Sequence, residues 1–165
     1  MFLVSSVSNQ KPLLEEIVEK YSDMVLRLAT IRTKNKHYAE DIYSDVFLRL
    51  IKNYDKLRDE NHVKAWLIRV TINCTNTYMK KMSRDNLPLP DNIPSFSEPV
   101  FSEVYQAVAS LPDKYRTVIH MHFYDGLAVK EISRLLAQTE SATKMQLKRA
   151  KEKLKVILGD DFNDK

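Results

Sequence analysis

The sequence predicts an all-α protein of two small helical domains joined by a flexible linker. Three observations predict it. Apolar residues recur at three- and four-residue steps over most of the 165 residues, the spacing that lines one face of a helix. Only two glycines occur, Gly126 and Gly159, too few for a β fold with many tight turns. Four of the six prolines fall between Ser83 and Pro99, where a fixed φ and missing donors exclude a helix.

The first unit spans residues 10–82. Leu13, Leu14, Ile17, Val18, Tyr21, Met24, Val25 and Leu28 form one helical stripe. Ala39, Ile42, Tyr43, Val46, Phe47, Leu50 and Ile51 form a second. Val63, Trp66, Leu67, Val70, Cys74 and Tyr78 mark a third, with Trp66 on the apolar side and a Thr- and Asn-rich middle that blurs its end. Residues 83–100 read as an extended linker whose charge is acidic, from Asp85, Asp91 and Glu98.

The second unit spans residues 101–158. Phe101, Val104, Tyr105 and Val108 give a short helix that stops at Leu111-Pro112. Pro112 suits the first turn of the next helix, where its missing N–H costs nothing. That helix carries Tyr115, Val118, Ile119 and His122 and ends at Asp125-Gly126. Leu127 to Ala137 is another short helix, with Ile132, Leu135 and Leu136 inward. Thr139 is positioned to cap a last helix from Ser141 to about Leu158, with Ala142, Met145, Ala150, Leu154 and Ile157 as its apolar stripe.

Composition excludes several chemistries. Two distant glycines cannot build a phosphate-cradling loop or a dinucleotide fingerprint. One cysteine, Cys74, cannot make an intrachain disulfide or a cysteine-rich zinc site, and it lies on an apolar stripe rather than beside a base. His120 and His122 are two apart on a helix and face different ways. No Ser/His/Asp order or paired-carboxylate pattern supports catalysis, so the expectation is a protein that is not an enzyme, with no metal and no cofactor. No apolar run approaches a membrane span, and residues 1–10 lack the pattern of a secretory signal; a cytoplasmic location is expected.

Charge points elsewhere. The net charge is +4 and the pI about 9.0. Between Lys130 and Lys155 basic residues outnumber acidic ones by 8 to 3, and most of the excess lies on the last helix. Charge alone fits a solvated face as well as a phosphate-binding one. Here, however, that helix follows another after a break of about three residues, the helix-turn-helix spacing in which the second helix enters the major groove. Its start offers Ser141 and Ala142 for close approach, and Thr143, Lys144, Gln146 and Lys148 as donors, followed by Arg149. In the first unit, Asp41 and Asp45 share a helix face, which spacing alone explains as solvated acids or as a surface that meets a basic partner. Arg69 and Asn73 also share a face, followed by Lys80 and Lys81, a set suited to nucleic acid.

Three segments together resemble the extracytoplasmic-function sigma factors, small bacterial initiation subunits of RNA polymerase. Ala39-Glu-Asp-Ile-Tyr-Ser-Asp-Val-Phe-Leu-Arg-Leu50 is similar to the family's polymerase-binding helix. Ala65-Trp-Leu-Ile-Arg-Val-Thr-Ile-Asn73 is similar to its promoter-melting helix. Leu111-Pro-Asp-Lys-Tyr-Arg116, Glu131-Ile-Ser133 and Lys144-Met-Gln-Leu-Lys-Arg-Ala150 are similar to the region that reads the minus-thirty-five element. The resemblance covers about residues 13–81 and 101–158.

It implies core RNA polymerase and promoter DNA as partners, with an anti-sigma protein as a further one. Asp41, Ser44, Asp45 and Leu48 would face the clamp helices of the polymerase large subunit. Arg69 and Asn73 would lie near the unpaired minus-ten strand, and the loop from Asp55 to Lys64, with Asn61, would pocket an extruded base. Arg116 and Lys130 would contact phosphates beside the helix-turn-helix. Ser44 stands where the family often has Gln, Ile72 where a basic residue is common, and Thr143 where Val is common. Ala137 replaces the usual turn glycine, which calls for a turn with no positive φ at that position. A stand-alone helix-turn-helix regulator would account for residues 101–158 but leave the first unit idle.

Overall fold

The computed structural model describes residues 11–85 and 102–159. Seven α-helices occur among them: α1 Leu14–Thr33, α2 Lys36–Asn53, α3 Glu60–Arg84, α4 Ser102–Ala109, α5 Asp113–Phe123, α6 Val129–Leu135 and α7 Glu140–Leu158. No strand occurs among the described residues.

Local chemistry sets most helix ends. The Asn35 side chain accepts from the Tyr38 N–H at 3.1 Å, and Asp59 accepts from His62 N–H at 2.9 Å, so each satisfies a donor that the first turn leaves open. Glu16 and Glu131 reach back to the N–H groups of Leu13 and Ala128, half of a capping box where the cap residue has no oxygen to give. Thr139 caps α7 through the Ala142 N–H at 3.1 Å, as its sequence position suggests, and the helix begins at Glu140. Pro112 lies one position outside the expectation: it is the N-cap of α5, with extended ψ, and its carbonyl accepts from Arg116 N–H. Helix α3 runs through Ser83 and Arg84, which the sequence places in the acidic linker; Asp91, Glu98 and Phe101 lie outside the described residues.

Two apolar clusters hold the molecule. The first joins Ile17, Tyr21 and Val25 of α1 to Ile42, Val46 and Leu50 of α2 and to Val63 and Leu67 of α3. The second contains Tyr105, Val118, Ile119, Ile132, Leu147 and Leu154 from the later helices. It also takes in Leu28 and Ile31 of α1 and Ile68 and Ile72 of α3. Each such side chain, fully buried, contributes roughly 1.5–3 kcal/mol of apolar transfer. Thus α1 and α3 pack on α2 with one face and on the second unit with another.

A polar seam runs beside this contact. Arg32, 6% exposed, donates from Nε to Thr75 Oγ1 at 2.6 Å, from Nη1 to Thr117 Oγ1 at 2.8 Å and from Nη2 to Asn76 Oδ1. Asp113 stands 3.9 Å away and supplies the countercharge. Burial lowers the Arg32 pKa, and Asp113 acts against that shift. Arg116 lies next to it and is also buried. It donates to Leu111 O at 3.0 Å, Asp113 Oδ1 at 3.2 Å and Arg32 O at 3.4 Å.

Ala137 differs from expectation in an informative way. Its φ is +53°, in the left-handed region. The Gln138 N–H donates to Ser133 O at 3.0 Å and the Ala137 N–H to Arg134 O at 3.3 Å. This pair of bonds is the Schellman ending, which requires a left-handed residue at that position whatever side chain it carries. Alanine therefore takes the left-handed turn geometry that glycine adopts without strain.

Candidate nucleic-acid interface

The α6–turn–α7 unit is fixed by a small polar knot. Ser133 Oγ and Thr143 Oγ1 lie 2.9 Å apart, and Gln138 Nε2 donates to Thr143 Oγ1 at 2.8 Å and to Gln146 Oε1 at 2.7 Å. Thr143 is 0% exposed, so it corrects the expectation of a base donor: its hydroxyl locks the angle between α6 and α7. The buried stripe of α7 is Thr143, Leu147, Ala150 and Leu154. Met145 and Ile157, expected inside, are 48% and 51% exposed. With that stripe inward, Ser141, Lys144, Lys148 and Arg149 are exposed and Ala142 half-buried. Gln146 is half-buried and engaged by Gln138. Lys130 is exposed at the start of α6. Arg116 is the second correction: at 5% exposure, with both Nη groups donating to Leu111 O, Asp113 Oδ1 and Arg32 O, it is turned inward, away from a phosphate.

On α3, Asn61, Arg69, Asn73, Lys80 and Lys81 are exposed. The expected loop from Asp55 to Lys64 is mostly ordered otherwise. A 3-10 turn covers Tyr54–Lys56, Leu57 is buried, and Asn61 and Lys64 sit on the first turns of α3. Lys64 is half-buried, its Nζ donating to the Asp125 carbonyl at 2.8 Å.

The outward face of α2 carries Asp41, Ser44 and Leu48, all exposed, with Asp45 half-buried beside them. Leu48 and Ile51 are each 58% exposed, so this face is apolar as well as acidic. Asp45 pairs with Arg49 at 3.1 Å and accepts from Cys74 Sγ at 3.5 Å. A groove of about 610 Å³ between α2 and α3 places Asp41 and Asp45 opposite Asn73 and Lys81, which sequence spacing alone did not join. Burial, opposed by Arg49 and reinforced by Asp45, pushes the Cys74 thiol up to about 11, which favours the protonated form at neutral pH. No cluster of three or more His, Cys, Asp and Glu suited to a metal occurs among the described residues. None of their helices is long and apolar enough to cross a membrane.

Comparison with known proteins decides the family. The Sigma-70 region 2 model matches residues 17–85, and the Sigma-70 region 4 model matches residues 101–154. The chain is 30% identical over 164 residues to the ECF RNA polymerase sigma factor SigM of Bacillus subtilis (strain 168), covering 92% of this chain and 98% of SigM. The chain belongs to the ECF RNA polymerase sigma factors. As a sigma factor it binds core RNA polymerase and directs promoter recognition and transcription initiation. SigW of the same organism is 27% identical, with 88% of each chain covered. The fold is shared with solved structures. RpoE of Bartonella quintana, solved in complex with the anti-sigma factor NepR, matches with a TM-score of 0.73 at 18% identity over 89% of this chain and 97% of that one. CnrH, solved with the cytosolic domain of CnrY, matches with a TM-score of 0.60 at 18% identity, over 90% of this sigma factor and 88% of CnrH.

Proposed function

We propose a division of labour among three surfaces of this sigma factor. The acidic and apolar face of α2, through Asp41, Ser44, Asp45 and Leu48, docks on the clamp helices of the polymerase large subunit. Asn61, Lys64, Arg69, Asn73, Lys80 and Lys81 hold the unpaired minus-ten strand, the amides reading bases and the cations neutralising phosphates. Ser141, Ala142, Lys144 and Gln146 meet base edges of the minus-thirty-five element, with Lys130, Lys148 and Arg149 on its backbone. The observation that carries the reading is the cationic, solvent-facing edge of α7 beyond its Thr139 cap, set by the Ser133–Thr143 lock in helix-turn-helix geometry. The protein acts in the cytoplasm without catalysis of its own, serves a signal-responsive set of promoters, and is held in check by an anti-sigma partner.

Footprinting of open complexes tests this. With purified core enzyme and a selected promoter, protection is expected over two separated boxes, with strand opening at the downstream one. Protection of one box of duplex DNA by the sigma factor alone, unchanged by polymerase, would refute the assignment.

A further inference from the structure

The groove of about 610 Å³ between α2 and α3 has the size and the mixed lining of a small-molecule site. Its rim is acidic. Asp41, Asp45 and Asp85 line it against two cations, Arg49 and Lys81, three charges to two, so the groove is net negative in a chain whose own net charge is +4. Asp45 is held by Arg49 at 3.1 Å and Asp85 by Arg84 at 3.8 Å, both through exposed pairs of the kind that contribute little. Asp41 has no ion pair among the described residues. The floor is different. Ile42, Met82 and the Tyr38–Tyr78 ring pair, centroids 4.4 Å apart, supply apolar surface. Tyr78 is 9% exposed, and its hydroxyl is buried with no hydrogen-bond partner. A buried hydroxyl left unpaired costs stability until a polar group reaches it, and a molecule seated in the groove is placed to supply one.

These demands select the ligand. An anion is repelled by the excess carboxylate. A metal ion lacks a cage, because no cluster of three or more His, Cys, Asp and Glu suited to one occurs among the described residues. A purely apolar molecule leaves Asp41 and the Tyr78 hydroxyl unpaired. A chain that alternates ammonium groups with methylenes meets every demand at once. Asp41 and Asp45 lie four residues apart on one helix face, about 6 Å along its axis. A spacer of about four methylenes sets two ammonium groups the same distance apart. We propose that the groove between α2 and α3 is a binding site for a linear aliphatic polyamine, held by Asp41, Asp45 and Asp85 and by the Tyr78 hydroxyl. The ammonium N–H groups donate to the three carboxylates and to the Tyr78 oxygen, while the methylenes cover Ile42 and Met82. The amine takes two acids that α2 also offers to polymerase, so the two compete. That consequence, unlike the site itself, rests on the docking assignment made above.

Spermidine is the probe, titrated at fixed ionic strength into the isotope-labelled full chain and followed by its amide resonances. The shifts are expected to saturate and to cluster on the two walls of the groove, Tyr38 to Arg49 and Asn73 to Asp85. Asp85→Asn, off the polymerase face, should raise the Kd about two- to fivefold, the worth of one exposed ion pair. Tyr78→Phe should raise it about fivefold and keep the thermal midpoint, since that hydroxyl makes no hydrogen bond in the free protein. Shifts that never saturate, that a magnesium salt at the same ionic strength reproduces, or that both variants leave unchanged would overturn the site, reducing it to a counterion effect. If Tyr78→Phe fails to fold, Asp85→Asn still decides. Core polymerase supplies the last arm: spermidine should weaken its binding to the unaltered chain more than to Tyr78→Phe. Saturable, variant-sensitive shifts beside polymerase binding that ignores the amine would uphold the site and remove the docking assignment instead.

Discussion

Ala137→Gly is expected to stabilise this protein. A non-glycine residue in the left-handed region costs about 1–2 kcal/mol, because its Cβ crowds the following carbonyl. Ala137 has φ +53° and cannot relax, since the turn's two hydrogen bonds, from Gln138 and Ala137 to Ser133 and Arg134, require that angle. Its methyl group is exposed, so removing it forfeits little burial. Glycine frees the unfolded chain, which takes back about 0.4–1 kcal/mol. Taking the middle of both ranges, the balance is a gain of about 0.8 kcal/mol, or about 2–3 °C in Tm for a chain of this size. Thermal and urea unfolding followed by helical circular dichroism measure it directly. Transcription from a cognate promoter should stay unchanged, because no assigned contact is touched. A midpoint that falls, or does not move, would show that Ala137 carries no strain, and the account of the α6–α7 turn would fail with it.

Other outcomes follow from the same geometry. Asp45→Arg removes an exposed i,i+4 pair with Arg49 worth about 0.3–0.5 kcal/mol and sets two cations together, so stability should change little while co-purification with core polymerase is lost. Lys144→Glu should weaken upstream promoter protection and make the slope of log affinity against log salt shallower by about one, with minus-ten opening retained on a strong upstream site. Asp125→Asn should expose an acid sensitivity. Burial pushes the Asp125 carboxyl up to about 7, with Lys64 opposing, while burial and then Arg27 push His120, 3.9 Å away, down to about 3. Between the unfolded value of 3.8 and about 7 the folded chain holds more protons at Asp125, so that term loses stability as pH rises. His120 does the reverse from 6.5 down to about 3, losing stability as pH falls. With Asp125 amidated only the His120 term survives, and the urea midpoint should drop more between about pH 7.5 and about pH 5 than it does in the unaltered chain. Equal pH profiles would contradict the opposed pair.

Helices α1 to α3, the Thr139 cap and the Asp125-Gly126 break were legible because each rests on spacing or on a residue with one strong local preference. The misplaced residues share a different cause. Thr143 lies on the buried stripe of α7, but a hydroxyl in sequence reads as surface until its partner, Ser133, is known to be opposite. Met145 belongs to the apolar stripe predicted with Ala142 and Ala150, but the helix turns Thr143 and Leu147 inward instead. Arg116 is a phosphate contact only by the resemblance to the family, and its burial takes it out of that role. Its acceptors include the Arg32 carbonyl, far away in the chain, and periodicity carries no information about such a partner. Arg32 is hidden from sequence reasoning for the same reason: its partners Thr75, Asn76 and Thr117 all lie far along the chain. Thr77 and Cys74 join Asp41 and Asp45 around one groove only because α2 and α3 lie side by side.

The last half of α1 has a consequence for how the gene can drift. From Arg27 to Thr33 seven consecutive side chains are enclosed, so no turn of that stretch keeps a wet edge where a codon can wander freely. A saturation library should show there a solid block of intolerance in place of the every-third-or-fourth rhythm of the preceding residues. Because Leu28, Ile31 and Arg32 of that block meet residues of the second unit, its tolerance would record their packing in which spellings survive.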